Sequence, residues 1–224
     1  VIGQMAAGVA HEINQPLAAL GTLSDNAREF LQRGDSQTAQ FNLERISQLV
    51  LRLGAITGQL RSFAKRAGTE MGAVDLAATV EHALTLLEPR LRKSPIVLTR
   101  QPPDDPLPVH GNALRLEQVL INLIGNAIDA CQERPDGRID IGWRREDDRV
   151  RLTVADNGPG LTTTAEAHLF EPFFTSKPQG LGLGLAISAS IVRDFGGSLT
   201  AGNRPEGGAM FTLDLPVGTL DDKH

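Results

Sequence analysis

At 224 residues the chain exceeds the roughly 100–150 residues of a common single domain, and 41% hydrophobic with 22% charged residues describe a globular protein with a core to bury. The 22 Lys and Arg against 27 Asp and Glu leave a net charge of −5, which excludes a general nucleic-acid binder and requires any bound polyanion to be gripped locally. Cys131 is single, which excludes an internal disulfide and suits a reducing compartment, and the sequence shows neither a membrane-spanning apolar run nor a signal peptide.

From Met5 onward Val9, Ile13, Leu17, Leu20, Leu23, Ala27 and Leu31 recur every three or four residues, which predicts a helix with one apolar stripe. Val1 already lies inside that pattern, so the chain is expected to be part of a longer protein. "QRGDSQ" interrupts the stripe: Gly34 suits a helix C-terminus, and Asp35 or Ser36 an N-cap. The stripe resumes with Ile46, Leu49, Val50, Leu53, Ile56, Leu60 and Phe63. So short a link folds the two helices into an antiparallel hairpin. Ile2, Phe30, Leu43 and Leu51 then ask for a partner, and a second copy would complete a four-helix bundle.

After "RAGTEMGA" the pattern becomes mixed. A helix is predicted over 76–92, a strand at "PIVLTR", a proline-rich loop at "QPPDDPLP" and a helix over 113–132. "RIDIGWRRE" and "RVRLTVAD" flank a "DD" turn as a hairpin; a helix over 184–195 precedes a second hairpin, "GSLTAGN" with "GAMFTLDLP". Paired strands with helices gathered elsewhere predict a two-domain α+β protein rather than alternating βαβ units.

Four clusters carry chemistry. In "AAGVAHEINQPLAAL", His11 and Gln15 lie four apart on one helix face, with Glu12 at its flank. A neutral imidazole is a competent nucleophile when a carboxylate holds its other nitrogen. Pro16 lacks the amide that would bond the carbonyl of Glu12, which predicts a loosened backbone beside His11. The plainer reading is an exposed His-Glu pair with a kink. In "LEQVLINLIGNAIDA", Asn122 and Asn126 again share a face, where amide oxygens suit a hard cation such as Mg²⁺; solvated amides are the plainer reading. "DNGPG" follows a strand: either a simple turn, or Asp156 accepting from an amino group while Gly158 and Gly160 let a flat ring approach the backbone. In "KPQGLGLGLAIS", Gly180, Gly182 and Gly184 precede a helix whose free amides suit phosphate, with Lys177 adding a charge. The loop before these glycines excludes a dinucleotide fold, which needs a strand there.

In this order the four blocks resemble the catalytic core of two-component sensor histidine kinases over nearly the whole chain. "HEINQPLAAL" and "FEPFFTSKP" are similar to the subgroup that includes nitrogen-regulation and C4-dicarboxylate-transport sensors. The resemblance implies a dimerisation and histidine-phosphotransfer domain at 1–67, forming a dimeric four-helix bundle. It implies an α/β sandwich ATP-binding domain of the gyrase, Hsp90, histidine kinase and MutL type at 73–218. By the same resemblance His11 is phosphorylated, Glu12 is its base, and Gln15 positions water for dephosphorylating the partner. Asn126 is the Mg²⁺ ligand with Asn122 as a second, and Asp156 reads adenine. Gly158, Gly160, Gly180, Gly182 and Gly184 bind ATP, and Lys177 lies at the base of a lid over about 161–179. The implied activity is autophosphorylation of His11 from Mg-ATP and transfer to an aspartate of a response regulator, by the cytoplasmic portion of a protein that in this family is often anchored in the inner membrane. Two rivals are another kinase or ATPase of the same superfamily, such as an anti-sigma serine kinase, which lacks the "HEINQP" helix, and a nonenzymatic dimer that uses ATP only to change shape.

Overall fold

Helices α1 (Ile2–Gln32) and α2 (Ser36–Ala64) pack side by side, joined by the turn at Gly34 and Asp35. The computed structural model describes residues 2–64, 70–103, 105–177 and 182–218, with the side chains of 2–15, 51–52 and 54–64 outside that description. Gly34 adopts φ +78°, a left-handed geometry that ends α1 at little cost only for a residue without Cβ. Asp35 then caps α2: its carboxylate accepts from the Thr38 amide at 3.0 Å and the Thr38 hydroxyl at 2.7 Å, and these bonds hold its carboxyl below the ordinary range. α1 continues through Pro16 without a break. Among the described hairpin side chains Pro16, Ala27, Ala39 and Asn42 are buried, whereas Leu17, Leu31, Phe41, Leu43 and Val50 stay about half exposed or more. Leu17 and Leu31, expected on the buried stripe, therefore lie on surface that the hairpin alone leaves open.

The second unit, from Ala67 on, is a sheet with helices on one face. β1 (Gly72–Asp75) and β3 (Pro108–Gly111) form a small antiparallel ribbon. β2 (Val97–Gln101), β4 (Arg138–Glu146), β5 (Arg149–Asp156), β6 (Ser198–Asn203) and β7 (Ala209–Pro216) form a five-stranded sheet in the order β2-β4-β5-β7-β6, antiparallel except for β2 against β4. Alternation sorts the strands: Ile139, Ile141, Val150, Leu152, Val154, Phe211, Leu213 and Leu215 enter the core. Against them pack α3 (Leu76–Leu91), α4 (Ala113–Cys131) and α6 (Gly184–Asp194). α4 supplies Leu116, Val119, Leu120, Leu123, Ile124 and Ile128, all buried at helical spacing and each contributing roughly 1.5–3 kcal/mol of transfer free energy. Asp75 and Asn112 cap α3 and α4 through the amides of Ala78 and Arg115.

Three elements escape the sequence pattern. β1 and β3 have four residues each, too few for a period, and Pro108 of β3 falls in the stretch read as loop. α5 (Thr163–His168) has six residues and buries none.

Candidate active site

α4 is the spine of the site. Asn122, Asn126, Asp129 and Ala130 are spaced by three and four, so successive turns present them along one side of the helix. Each turn meets a different segment. Asn122 Nδ2 donates to Ser188 Oγ of α6 at 3.0 Å, and its Oδ1 fills the space a Cβ at Gly184 would need, so α6 approaches this closely because Gly184 is bare. One turn on, Lys177 Nζ donates to Asn126 Oδ1 and Asp129 Oδ2, each at 2.7 Å. Asp129 is also ion-paired with Arg90 of α3. At the last turn Ala130 Cβ lies 2.8 Å from where a Cβ at Gly158 would stand.

Asp156 ends β5 with a relative exposure of 2%. Its Oδ1 accepts from the Gly158 amide at 2.8 Å and the Ala209 amide at 3.2 Å, while Oδ2 has no hydrogen-bond partner among the described residues. Burial pushes its carboxyl above the ordinary carboxylate range, against the pull of the Ala209 and Gly158 amides and the Arg204 charge. A buried carboxylate with one satisfied and one open oxygen is built to accept from an incoming donor. The Ala209 amide reaches Asp156 because Gly208, at φ +91°, lies against the Asp156 carbonyl where a Cβ has no room. Asn157 fixes the loop from the other side. Its carboxamide accepts from the Arg138 amide at 2.7 Å and from the Cys131 thiol at 3.4 Å, and donates to the Asp136 carbonyl at 2.8 Å. Burial pushes the Cys131 thiol up, which keeps it a donor.

The glycines of "DNGPG" therefore serve packing within the protein. A Cβ at Gly158 would strike Ala130, and one at Gly160 would come within 2.6 Å of Asn203 Oδ1. Asn203 binds the next residue by both backbone groups: the Leu161 amide donates to Oδ1 at 2.7 Å, and Nδ2 donates to the Leu161 carbonyl at 2.9 Å. Gly182 fits against the Phe173–Phe174 backbone, with the Phe173 amide donating to its carbonyl at 2.9 Å. Phe173 itself has φ +70°, uncommon for a bulky residue and a sign of a constrained turn. α6 starts without a side-chain cap, leaving first-turn amides available to an anion.

The fold thus brings Lys177, Gly158 and Gly184 against Asn122, Asn126 and Ala130 of α4, with Asp156 two residues before Gly158, while Gly160 meets Asn203 and Gly182 the Phe173–Phe174 backbone. His11, Glu12 and Gln15 belong to α1, but their side chains lie outside the described residues, as does Gly180. Asp129, Asn157, Asn203, Gly208 and Ala209 were not singled out by the sequence. Asn157 stands inside "DNGPG" and Asp129 one turn beyond Asn126, so the first was within reach of a closer reading; Ala209 acts through a backbone amide and leaves no side-chain signal. As a cation site, Asn126 fits: its amide oxygen already holds an ammonium. Asn122 is turned to α6.

Comparison with known proteins places both units in one family. Residues 1–68 match the His Kinase A (phospho-acceptor) domain, and residues 111–219 match the histidine kinase-, DNA gyrase B-, and HSP90-like ATPase. The C4-dicarboxylate transport sensor protein DctB of Rhizobium meliloti (strain 1021) is 47% identical over 96% of this chain and 34% of its own length. The catalytic domain of histidine kinase ThkA is 34% identical, with a TM-score of 0.61 over 66% of this chain and 96% of that one. ThkA in complex with response regulator protein TrrA gives a TM-score of 0.75 at 29% identity, over 96% of this chain and 62% of that one. The chain belongs to the sensor histidine kinases, and its second unit is the ATP-binding fold of that family. It spans about a third of the length of the curated relatives it matches. Among the described residues no helix is long and apolar enough to cross a membrane.

Proposed function

We propose that this chain is a kinase core in which His11 takes the γ-phosphoryl group of ATP and passes it to an aspartate on a separate response-regulator receiver domain. The observation that carries the reading is Asp156: a buried carboxylate, aligned by two backbone amides, with Oδ2 left for the exocyclic amine of a purine. Residues 1–67 form the dimerisation and phosphotransfer domain, residues 73–218 the ATP-binding domain, and the protein works as a homodimer through its hairpin on the cytoplasmic side, where ATP is supplied.

The neutral imidazole of His11 attacks the γ-phosphorus in line; the N–P bond forms, the bond to the β-bridging oxygen breaks, and ADP departs. Glu12 accepts the ring proton on the imidazole's far side, so that positive charge never accumulates there. Gln15, one turn away, orients water for the reverse duty, hydrolysis of the receiver's acyl phosphate. Asp156 selects the base, Gly158 and Gly160 shape the loop beside it, and Gly180, Gly182, Gly184 and the opening amides of α6 cradle the phosphates. Lys177 adds a mobile positive charge. Asn126 would hold a magnesium ion, which would neutralise phosphate charge; Asn122 would add a second oxygen only by turning away from Ser188. The net charge of −5 makes such local neutralisation obligatory.

Incubation with γ-labelled ATP tests the reading. Label should appear on the wild type, disappear on acid treatment, map to His11 by mass spectrometry, and be absent from His11→Gln. Acid-stable label would point to a serine kinase of the same superfamily, and nucleotide binding without label to a nonenzymatic module.

A further inference from the structure

Lys177 and Asn126 are 51 positions apart, yet the ammonium donates to Asn126 Oδ1 and Asp129 Oδ2, each at 2.7 Å. The second oxygen of Asp129 is ion-paired with Arg90, whose guanidinium also donates to the Gly125 carbonyl at 3.4 Å. One carboxylate is therefore held from both sides: Arg90 orients it, and it in turn seats Lys177. An isolated surface ion pair of this kind contributes little to stability. Its effect lies instead in what the ammonium covers. Asn126 Oδ1 is a neutral donor suited to a hard cation, and among the described residues no three His, Cys, Asp or Glu side chains converge on any metal position. A divalent ion joining Lys177 on that oxygen would stand about 4 Å from the ammonium, where like charges repel strongly unless an anion lies between them.

We infer that Lys177 is the resident counter-cation of Asn126, seated there by Asp129, and that it keeps divalent metal off this oxygen until phosphate arrives to take over the ammonium. The inference rests on the nucleotide site proposed above and deepens it: metal enters together with nucleotide rather than ahead of it. Asp129 is then a positioning residue, acting through Lys177.

Mn²⁺ titration of the full chain without nucleotide, read as free Mn²⁺ by electron paramagnetic resonance, tests this without any turnover. Lys177→Met should bind Mn²⁺ about tenfold tighter than the wild type, because Asn126 and Asp129 are uncovered. Lys177→Arg should stay near wild type, and Asn126→Ala in the Lys177→Met background should remove the gain. The Lys177 side chain is 44% exposed, so these variants are expected to fold; Lys177→Gln serves as a second neutral variant. Equal Mn²⁺ binding by wild type and both neutral variants, or a gain that survives Asn126→Ala, overturns the inference. Failure of the kinase reading shows separately, as absence of acid-labile label on the wild type.

Discussion

The two units bury their apolar residues very differently. In the second, Leu76, Leu120, Leu152 and Leu213 have zero exposure and belong to one continuous core. In the described part of the hairpin only Pro16, two alanines and an asparagine are buried, while Phe41 and Leu31 are 57% and 55% exposed. Helices this long present two apolar faces and the hairpin can satisfy only one, so the first unit leaves apolar surface open for association whereas the second closes over its own layers. The lesson is a division of labour: the ATP-binding unit is built to keep its shape, and the hairpin, proposed above to carry the reactive histidine, keeps apolar surface open to other molecules.

Truncating the self-sufficient core should have the largest effect. Leu120→Ala is expected to cost the second unit about 2–5 kcal/mol, read as a drop in its thermal or urea midpoint with the hairpin transition unmoved. If both transitions shift together, the contrast between units fails. Asp156→Asn comes next and separates binding from stability. Because burial raises the carboxyl above 3.8, its contribution to stability is fully present below the unfolded value and lost as pH rises through the folded one, above which the buried charge costs stability. The amide variant should therefore melt no lower than wild type at neutral pH, yet bind a fluorescent ATP analogue roughly ten- to a hundredfold more weakly. In the wild type the same binding should weaken as pH falls through a value above 3.8. Gly208→Ala should cost about 1–3 kcal/mol through its left-handed backbone, and weaken the analogue as the Ala209 amide leaves Asp156. The hairpin counterpart is smaller: Leu43→Ala should lower the dimer's stability by roughly 1 kcal/mol per chain. Its signature is melting that depends on protein concentration; a concentration-independent midpoint would mean that the hairpin's exposed leucines meet no second copy. Smallest is Asp35→Ala, expected to fray the start of α2, with the wild-type cap itself weakening as pH falls through its lowered carboxyl value.

Much of the fold was legible because its long elements repeat a pattern. The spacing from Leu17 to Leu31, the Gly34–Asp35 break, the stripe of α4 and the two hairpins each repeat often enough to declare a period. β1, β3 and α5 do not, being four to six residues long with a buried residue or two at most. The site divides the same way. Asn122, Asn126, Asp156 and the glycines announce themselves locally, through helical spacing or turn composition. Their partners do not: Ala209 is 53 positions from Asp156, and Lys177 is 48 from Asp129. Gly158 and Gly160 show how a correct position can carry an incomplete reason. Openness to a ring was expected; the space beside them is taken by Ala130 and Asn203, which only the packed structure reveals.

The pair of hydrogen bonds between Asn203 and Leu161 has a consequence for motion. Fastened by amide and carbonyl to the rim of the sheet, Leu161 is a fixed pivot set five residues after Asp156. Any displacement of the following segment must begin beyond that rivet, which leaves the loop from Asp156 to Leu161 held in place. If Asp156 reads the base as proposed, recognition of the base and accommodation of its charged tail would in this way be mechanically decoupled, and a nucleotide could be checked for identity first.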